Sequence, residues 1–402
     1  MAALWADSKF QTTSFKCAVV FLATSLVVGV ANGCRSSRNA NEILVGQYGS
    51  LTGDQATFGQ STNNGITLAV DEINAAGGVN GKKLHLITYD DKGDPREAAT
   101  AVTRLITNDG VVAVLGEVAS KLSLEGAPIC QKYGVPMITP SSTNPKVTEV
   151  GDMIFRVCFI DPFQGFVCAK FARDNLKAEN AAILYDQSQT YSVGLQDEFE
   201  KSFTKLGGKI TTKQAYQKGE QDFNAQLTAI RASKPGVVFI PGYYNDVGTI
   251  AVQARKLGIT VPLLGGDGWE SPKLAEIGGD AINGCYYSNH YSPQDPSPRV
   301  QNFIKKYKER YHTTPDSMAA LAYDATHILK DAIGRAKSLS GAAIAEQIAR
   351  TKDFDGVTGQ ITIDEHRNAV KPAVILEMKN GQPTYVTTIK PEGKGEGAGG
   401  RE

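Results

Sequence analysis

The sequence lacks an excess of charge of either sign. Its 402 residues carry 42 Lys and Arg against 42 Asp and Glu, so the formal net charge is zero. It contains no basic run and no basic patch interleaved with aromatic residues, which a nucleic-acid surface would require. We therefore expect no nucleic-acid partner.

Cysteine is scarce, and its spacing argues against a metal site. Six cysteines occur, without a C-x-x-C pair or a Cys/His spacing that suits zinc. Two of them, Cys158 and Cys168, stand in apolar surroundings, where we expect small buried side chains. Asp90, Asp91 and Asp94 predict a solvated loop and a helix cap rather than a metal cluster. The sequence leaves open whether disulfide bonds join Cys130, Cys158, Cys168 and Cys285.

Signatures of catalysis are also absent. The sequence has no G-x-S-x-G elbow, no H-E-x-x-H and no Walker-type loop. No histidine stands beside a nucleophile or an acid in a recognisable catalytic motif. The histidines are His85, His290, His312, His327 and His366. The sequence thus predicts no enzyme, no metal and no cofactor.

One long apolar run is present, close to the N terminus. Lys9 and Lys16 precede an apolar stretch over 17–30, which is short for a transmembrane helix. The small residues that follow predict a signal peptide over 1–33. Cys34 resembles the lipidated cysteine of bacterial lipoproteins, with 34–41 as a tether, and predicts a periplasmic or cell-surface protein anchored to a membrane by lipid. Because Ala31 replaces the usual Leu, a freely soluble secreted protein remains the alternative.

From residue 42 onwards, apolar strand patterns alternate with helical ones. Strands are predicted at 43–48, 84–89, 111–115 and 135–139, with helices between them, and a similar cycle starts near Phe163. Later helices at about 298–311, 317–336 and 341–350 are followed by three strands. The pattern predicts an α/β protein of two doubly wound parallel-sheet lobes. The Gly-rich segment 391–402 predicts a disordered tail.

Two clusters of hydroxyl residues follow two of the predicted buried strands. Ser120 comes after the strand at 111–115, and Ser141, Ser142 and Thr143 come after the strand at 135–139. Open α/β sheets bind ligands at the carboxyl ends of their strands. Hydroxyls and free N–H groups at a helix start suit a carboxylate. These residues therefore predict half of a binding site, which holds an anionic group.

Acceptor groups follow strands of the second cycle. Tyr191, Tyr243 and Asp267 lie just beyond the apolar runs at 181–185, 237–240 and 261–264. Carboxylate and phenol oxygens accept hydrogen bonds from an ammonium group. Together with the hydroxyl clusters, they predict a zwitterion that bridges two lobes. Phe58 and Trp269 are predicted to line its apolar side.

The same segments resemble the periplasmic branched-chain amino-acid binding proteins of ABC transporters. The likeness covers nearly all of 42–390 and rests on the motifs Gly77-Gly78-Val79-Asn80-Gly81, Ile138-Thr139-Pro140-Ser141-Ser142-Thr143 and Gly265-Gly266-Asp267-Gly268, with Gly242-Tyr243. The resemblance implies a type I periplasmic-binding fold with a three-strand hinge. It implies lobe 1 from 42–160 plus 291–365, and lobe 2 from 161–290 plus 366–390. The crossings are expected near 159–161, 290–292 and 364–368.

The resemblance also implies a function. Ser120, Ser141 and Thr143 match the set that binds the ligand's carboxylate, and Tyr243 and Asp267 match the pair that binds its ammonium group. Asp267 replaces the usual Glu. We therefore expect a monomer that captures an amino acid, branched-chain or related, and delivers it to an ABC permease. A ligand-sensing receptor, or a binder of an amide, urea or aromatic carboxylate, remains the alternative.

Overall fold

Strands and helices alternate in the first part of the fold. A computed structural model describes residues 41–391. The elements are β1 (Glu42–Gly49), α1 (Ala56–Ala75), β2 (Lys83–Asp90), α2 (Pro95–Arg104), β3 (Ala113–Leu115), α3 (Ser120–Tyr133), β4 (Met137–Thr139), α4 (Lys146–Glu149) and β5 (Ile154–Arg156). All these strands pair in parallel in the order β2-β1-β3-β4-β5. The predicted signal peptide, Cys34 and the tail beyond residue 391 lie outside the described residues.

A second cycle of the same kind follows. Its elements are α5 (Asp161–Asp174), β6 (Asn180–Asp186), α6 (Thr190–Lys205), β7 (Lys209–Tyr216), α7 (Asn224–Ala232), β8 (Val237–Ile240), α8 (Tyr244–Lys256), β9 (Leu263–Gly265), α9 (Pro272–Gly278) and β10 (Tyr286–Asn289). These strands are also parallel, in the order β10-β9-β8-β6-β7. The repeated winding confirms the predicted pair of α/β lobes.

The C-terminal elements return to both lobes. They are α10 (Pro298–Tyr311), α11 (Ser317–Arg335), α12 (Gly341–Ala349), β11 (Phe354–Gly356), β12 (Gly359–Ile363), β13 (Ala369–Val370), β14 (Ala373–Lys379) and β15 (Gln382–Ile389). Helix α11 packs on α1 in lobe 1. Strands β14 and β15 extend the lobe 2 sheet in antiparallel fashion.

The third crossing lies slightly later than we expected. Strand β13 pairs with β12 in a small three-stranded sheet, whereas β14 belongs to the lobe 2 sheet. The chain therefore changes lobes between Val370 and Ala373 rather than at 364–368. The apolar side chains of β12 and β13, among them Ile361 and Ala369, pack with the buried face of α11, which keeps this segment with lobe 1.

Local signals explain several boundaries and fail at others. Asp94 caps α2 as predicted, and its carboxylate accepts from the N–H groups of Arg96 and Glu97 at 2.8 and 3.3 Å. Asp91, predicted to be solvated, is instead buried and accepts from the Ser50 hydroxyl at 2.8 Å. Helix α1 begins at Ala56, and its first turn carries Phe58 against Tyr243 of the second lobe.

The cysteines of the described region are reduced and buried. Cys130, Cys158, Cys168 and Cys285 are all free, and Cys158 and Cys168 have no exposed surface, as expected for small apolar side chains. Across residues 41–391, the helices are each too short or too polar to cross a membrane.

Candidate functional site

The two hydroxyl clusters of lobe 1 form one hydrogen-bonded unit. Ser120 is the first residue of α3, and its Oγ accepts from the Asn144 N–H at 3.3 Å. Ser142 Oγ lies 2.7 Å from Ser123 Oγ and 3.0 Å from the Glu117 carbonyl. The loop after β4 is therefore fixed against the start of α3, and both loops end at the cleft between the lobes.

A buried arginine, which we had not predicted, holds the second loop in place. The Arg156 guanidinium on β5 is fully buried. Its Nη2 donates to the Asn144 carbonyl at 2.8 Å and to Thr148 Oγ1 at 3.1 Å, and its Nη1 donates to the Ser142 carbonyl. Because these bonds satisfy the carbonyls of the loop after β4, the loop can direct Ser141 toward the cleft.

Asp267 forms the centre of the lobe 2 half. It lies directly after β9 and is 2% exposed. Its Oδ1 accepts from Gln164 Nε2 at 2.8 Å and from the Tyr191 hydroxyl at 3.0 Å, and its Oδ2 lies 3.0 Å from His290 Nε2. Three neutral donors thus fix the carboxylate and leave its charge without a cationic partner among these contacts.

Burial controls the protonation of the groups around Asp267. Burial lowers the pKa of His290, and the neighbouring Asp267 carboxylate only partly opposes this shift. The neutral ring stacks on Phe159 with centroids 3.8 Å apart and donates its Nε2–H to the carboxylate. Burial likewise raises the pKa of Tyr191 well above its usual range, so this phenol stays a donor.

The two halves meet across the cleft. Ser141 Oγ of lobe 1 donates to Asp267 Oδ2 of lobe 2 at 3.4 Å. Around this pair lies a narrow cavity, in which the space open to the centre of a water molecule is about 10 Å³, roughly the room for one water. The residues lining the cavity are Phe58, Val118, Ser120, Ser141, Tyr191, Tyr243, Asp267, Gly268 and Met318.

Aromatic side chains from both lobes form one wall of the cavity. Tyr191 and Tyr243 stack with centroids 5.2 Å apart at an interplanar angle of 20°. Phe58, in the first turn of α1, meets the Tyr243 ring edge-on at 5.8 Å. With Val118 and Met318 they offer an apolar surface beside the polar Ser141–Asp267 pair, so the cavity has one polar and one apolar side.

Trp269 lies outside this lining, although we had predicted it there. Its indole has no exposed surface, and its Nε1 donates to the Ile240 carbonyl at 2.9 Å. A Cβ on Gly265 would stand 2.1 Å from the indole, so the ring fills the space beneath the strand ends of β8 and β9. In this closed arrangement Trp269 packs beneath the site, and its contact with a ligand stays a prediction.

Two of the predicted hydroxyls are also set back from the cavity. Ser142 is fully buried in the network between the two loops, and Thr143 is fully buried behind Ser141. Adjacent residues of an extended loop point in different directions, so only Ser141 of the three lines the space. Ser120, Ser141, Tyr191, Tyr243, Asp267 and Phe58 are the predicted residues that the fold brings together.

Gln164 and His290 are the partners of Asp267 that the sequence did not reveal. Gln164 lies within α5, and His290 follows β10. Strand β10 neighbours β9, whose end carries Asp267, so adjacent strand ends bring His290 and Asp267 together. The adjacency of β9 and β10 would have predicted that His290 lies beside Asp267, but the order of strands in a sheet cannot be read from the sequence.

Two α/β lobes with a polar and apolar cavity between their strand ends define the class of bilobed solute-binding proteins. A family model described as "Periplasmic binding protein" matches residues 42–383. The chain belongs to this family.

Relatives of known name support that assignment. The Leu/Ile/Val-binding protein homolog 2 of Brucella abortus is 33% identical over 345 residues, which cover 85% of this chain and 91% of that protein. The leucine-, isoleucine-, valine-, threonine- and alanine-binding protein of Pseudomonas aeruginosa is 31% identical, over 84% of this chain and 90% of the relative.

Solved structures are similar over the same region. The leucine-binding protein LivK of Thermotoga maritima has a TM-score of 0.84 and 41% identity, over 87% of this chain and 99% of its own. The branched-chain amino-acid binding protein LivJ of Streptococcus pneumoniae, in complex with isoleucine, has a TM-score of 0.83 and 34% identity, over 87% of this chain and 100% of its own.

Proposed function

We propose that the protein captures an amino acid with an apolar side chain, of the leucine, isoleucine and valine kind, and delivers it to an ABC permease. The observation that carries the proposal is the Ser141–Asp267 pair, which places a donor hydroxyl and a buried carboxylate on opposite lobes, 3.4 Å apart. A zwitterion would enter between them. Its carboxylate would face Ser120, Ser141 and the start of α3, and its ammonium group would face Asp267.

The apolar wall supports the choice of side chain. Phe58, Val118 and Met318 carry no charge and border the polar pair directly. Burying each CH₂ group of a ligand side chain against such a wall contributes about 0.8 kcal/mol. The names of the relatives, which include leucine, isoleucine and valine, point to the same class of ligand.

Calorimetric titration with a panel of amino acids tests the proposal. We expect binding of leucine, isoleucine or valine, a large loss of affinity in Asp267→Asn and Ser141→Ala, and no change in Ser338→Ala, an exposed serine far along the chain. If both site variants bind every ligand of the panel as tightly as the unaltered protein, the assignment of the site is wrong.

We further propose that the mature protein is a monomer held at the outer face of a membrane by lipid on Cys34, with permease subunits as its partners. Periplasmic binding proteins of ABC transporters work outside the cytoplasm, and the N-terminal pattern agrees with export. Mass spectrometry of the protein purified from membranes tests the anchor. Cys34→Ser should release the protein into the soluble fraction, and unaltered membrane retention of this variant would refute lipidation at Cys34.

A further inference from the structure

A second cavity lies between the lobes and shares no lining residue with the first. Its volume is about 480 Å³, which is within the usual range of small-molecule sites. Asn144 and Lys146 of lobe 1 form one side, and Gln189 and Gly194 at the start of α6 form the other. Asn144 Nδ2 donates to the Thr190 carbonyl at 3.1 Å, so closure of the lobes completes this cavity.

A buried carboxylate with only one donor faces this space. Asp161, the first residue of α5, lines the cavity and has no exposed surface. The neighbouring Thr143 hydroxyl stabilises its charged form through a side-chain hydrogen bond, and no other donor of the described residues reaches its two carboxylate oxygens. The Thr143 hydroxyl is itself buried and has no partner besides Asp161. Buried polar groups are nearly always hydrogen-bonded, because an unmade bond costs about 1–3 kcal/mol. One hydroxyl cannot satisfy two carboxylate oxygens, so Asp161 points to a missing donor.

Gly194 leaves the space in front of the carboxylate free of a side chain. A Cβ on Gly194 would lie 2.8 Å from Asp161 Oδ2 and 2.5 Å from Asn144 Nδ2. Any side chain at this position would therefore close the approach to Asp161. The glycine lies in helix α6 with ordinary helical geometry, so no turn or positive φ requires it.

The charges around the cavity favour a cation. Glu149, Asp197 and Glu198 line it together with Asp161, against the single ammonium group of Lys146. The other charged groups that act on Asp161 are Arg156 and Asp267. Burial raises the pKa of Asp161 to about 7, and a bound cation would restore the ionised form. Calcium takes six to eight oxygen ligands. Within residues 41–391, no group of three or more His, Cys, Asp or Glu is arranged to hold a metal ion. The cavity therefore suits an organic cation better than a metal ion.

We propose that this cavity is a second ligand site, which takes the ammonium or guanidinium group of a small organic cation. Asp161 is its counter-ion, and the Thr143 hydroxyl accepts a further hydrogen bond. Because both lobes line the cavity, the cation favours the closed arrangement and strengthens amino-acid binding in the first site. Linkage makes this effect reciprocal. The coupling, but not the site itself, rests on the proposed function.

Calorimetric titration with ethylammonium and methylguanidinium chloride tests the site directly, with sodium chloride at matched ionic strength as the reference. The titration is repeated in Asp267→Asn, which removes the carboxylate of the first site that could also hold an ammonium group. We expect binding in both proteins and a loss of about tenfold or more in Asp161→Asn and Gly194→Ala. Asp174→Asn, which removes an exposed charge at the far end of α5 and outside the cavity lining, is the matched control and keeps the affinity.

The pH dependence of cation binding and its effect on leucine affinity test the second site further. The affinity for the organic cation should rise as the pH increases through about 7, where Asp161 loses its proton, and this dependence should vanish in Asp161→Asn. Equal affinity in Asp161→Asn and the unaltered protein, equal heats with sodium, or no binding above pH 7 would each overturn the site. Leucine affinity should increase about fivefold or more with cation. Cation binding without any leucine binding would refute the proposed function and leave the second site standing.

Discussion

The decisive perturbation of the first site is Asp267→Asn, combined with removal of the ligand's amine. Asn keeps the size of the side chain but loses the charge that faces the cleft. We expect 4-methylpentanoate, which is leucine without its amino group, to lose little affinity in the variant, because it has no ammonium group to place against residue 267. Leucine itself should lose much more.

The magnitude follows from the contacts of the carboxylate. A hydrogen bond to a charged group contributes about 1.5–3 kcal/mol, which corresponds to roughly 10- to 150-fold in Kd. Gln164, Tyr191 and His290 already donate to Asp267, so the amide NH₂ of the variant must face one of these donors whether or not ligand is bound, and this cost cancels from Kd. Because residue 267 is buried, the ammonium group of leucine would lose its charged partner in a site shielded from water, and the loss for leucine should lie toward the upper end of that range.

A double-mutant cycle with calorimetry isolates the interaction. Four dissociation constants, for two proteins and two ligands, give the coupling energy between the ammonium group and residue 267. We expect about 1.5 kcal/mol or more, with Ser338→Ala as a folded control. If both ligands lose the same affinity, the coupling is zero, and Asp267 does not bind the ammonium group of the ligand.

Three further predictions concern packing, pH and selectivity. Trp269→Phe removes the bond to the Ile240 carbonyl; it should lower the free energy of unfolding by about 1 kcal/mol or more in urea melts and leave ligand Kd unchanged, and a changed Kd would return Trp269 to the site. Burial raises the pKa of Glu270 from 4.5 to about 7, so the folded protein holds a proton that the unfolded chain has lost, and this group should contribute a fall in stability of about 3 kcal/mol as the pH rises across that window. Because Asp161 titrates in the same window, the slope should be smaller by up to one proton in Glu270→Gln, not absent, and an unchanged slope would contradict the assignment. Phe58→Ala should weaken leucine binding several-fold more than alanine binding, because only the longer side chain reaches that wall; equal losses would place the apolar side of the ligand elsewhere.

The sequence predicted most strands that read as apolar runs, whereas it missed strands of mixed polarity such as β7 and the interior strand β10. Buried strands such as β8 read as continuous apolar runs, and the hydroxyl and carboxylate groups that follow them could be located from those runs. Strand β7 was not predicted, because it is an edge strand of mixed polarity, with Lys209, Thr211 and Lys213 among its residues. Its backbone pairing with β6 is a tertiary contact that no local pattern encodes.

Within the site, the residues at strand ends could be predicted, but their side-chain directions could not. Ser141 and Asp267 face the cavity as expected, whereas Ser142 lies in the hydrogen-bond network behind it and Trp269 packs below the sheet. Gln164 and Arg156 were missed for a related reason. Each is distant in sequence from the loop or the carboxylate that it holds, and only the packing of α5 and β5 brings them together.

Hydrogen bonds between the closed lobes determine which contacts a ligand must replace when it binds. The Tyr244 hydroxyl donates to the Asp54 carbonyl at 2.8 Å, and Ser271 Oγ donates to Thr57 Oγ1 at 3.1 Å. With the Ser141–Asp267 bond they close the cleft without help from a ligand side chain. A ligand must therefore separate Ser141 from Asp267 and replace their bond, which a carboxylate and an ammonium group together can do.

Selectivity among apolar side chains is then the weaker effect. One methylene more or less against the wall of Phe58, Val118 and Met318 changes affinity by only about 1–3 kcal/mol, whereas loss of the ammonium group leaves the Asp267 charge buried and uncompensated. We accordingly expect tight binding to require the zwitterion, and several apolar amino acids to compete for the site with affinities that differ by roughly one to two orders of magnitude. Competition titrations of leucine against valine and alanine measure that spread. Strict exclusion of valine would show that shape, rather than the paired charges, governs entry.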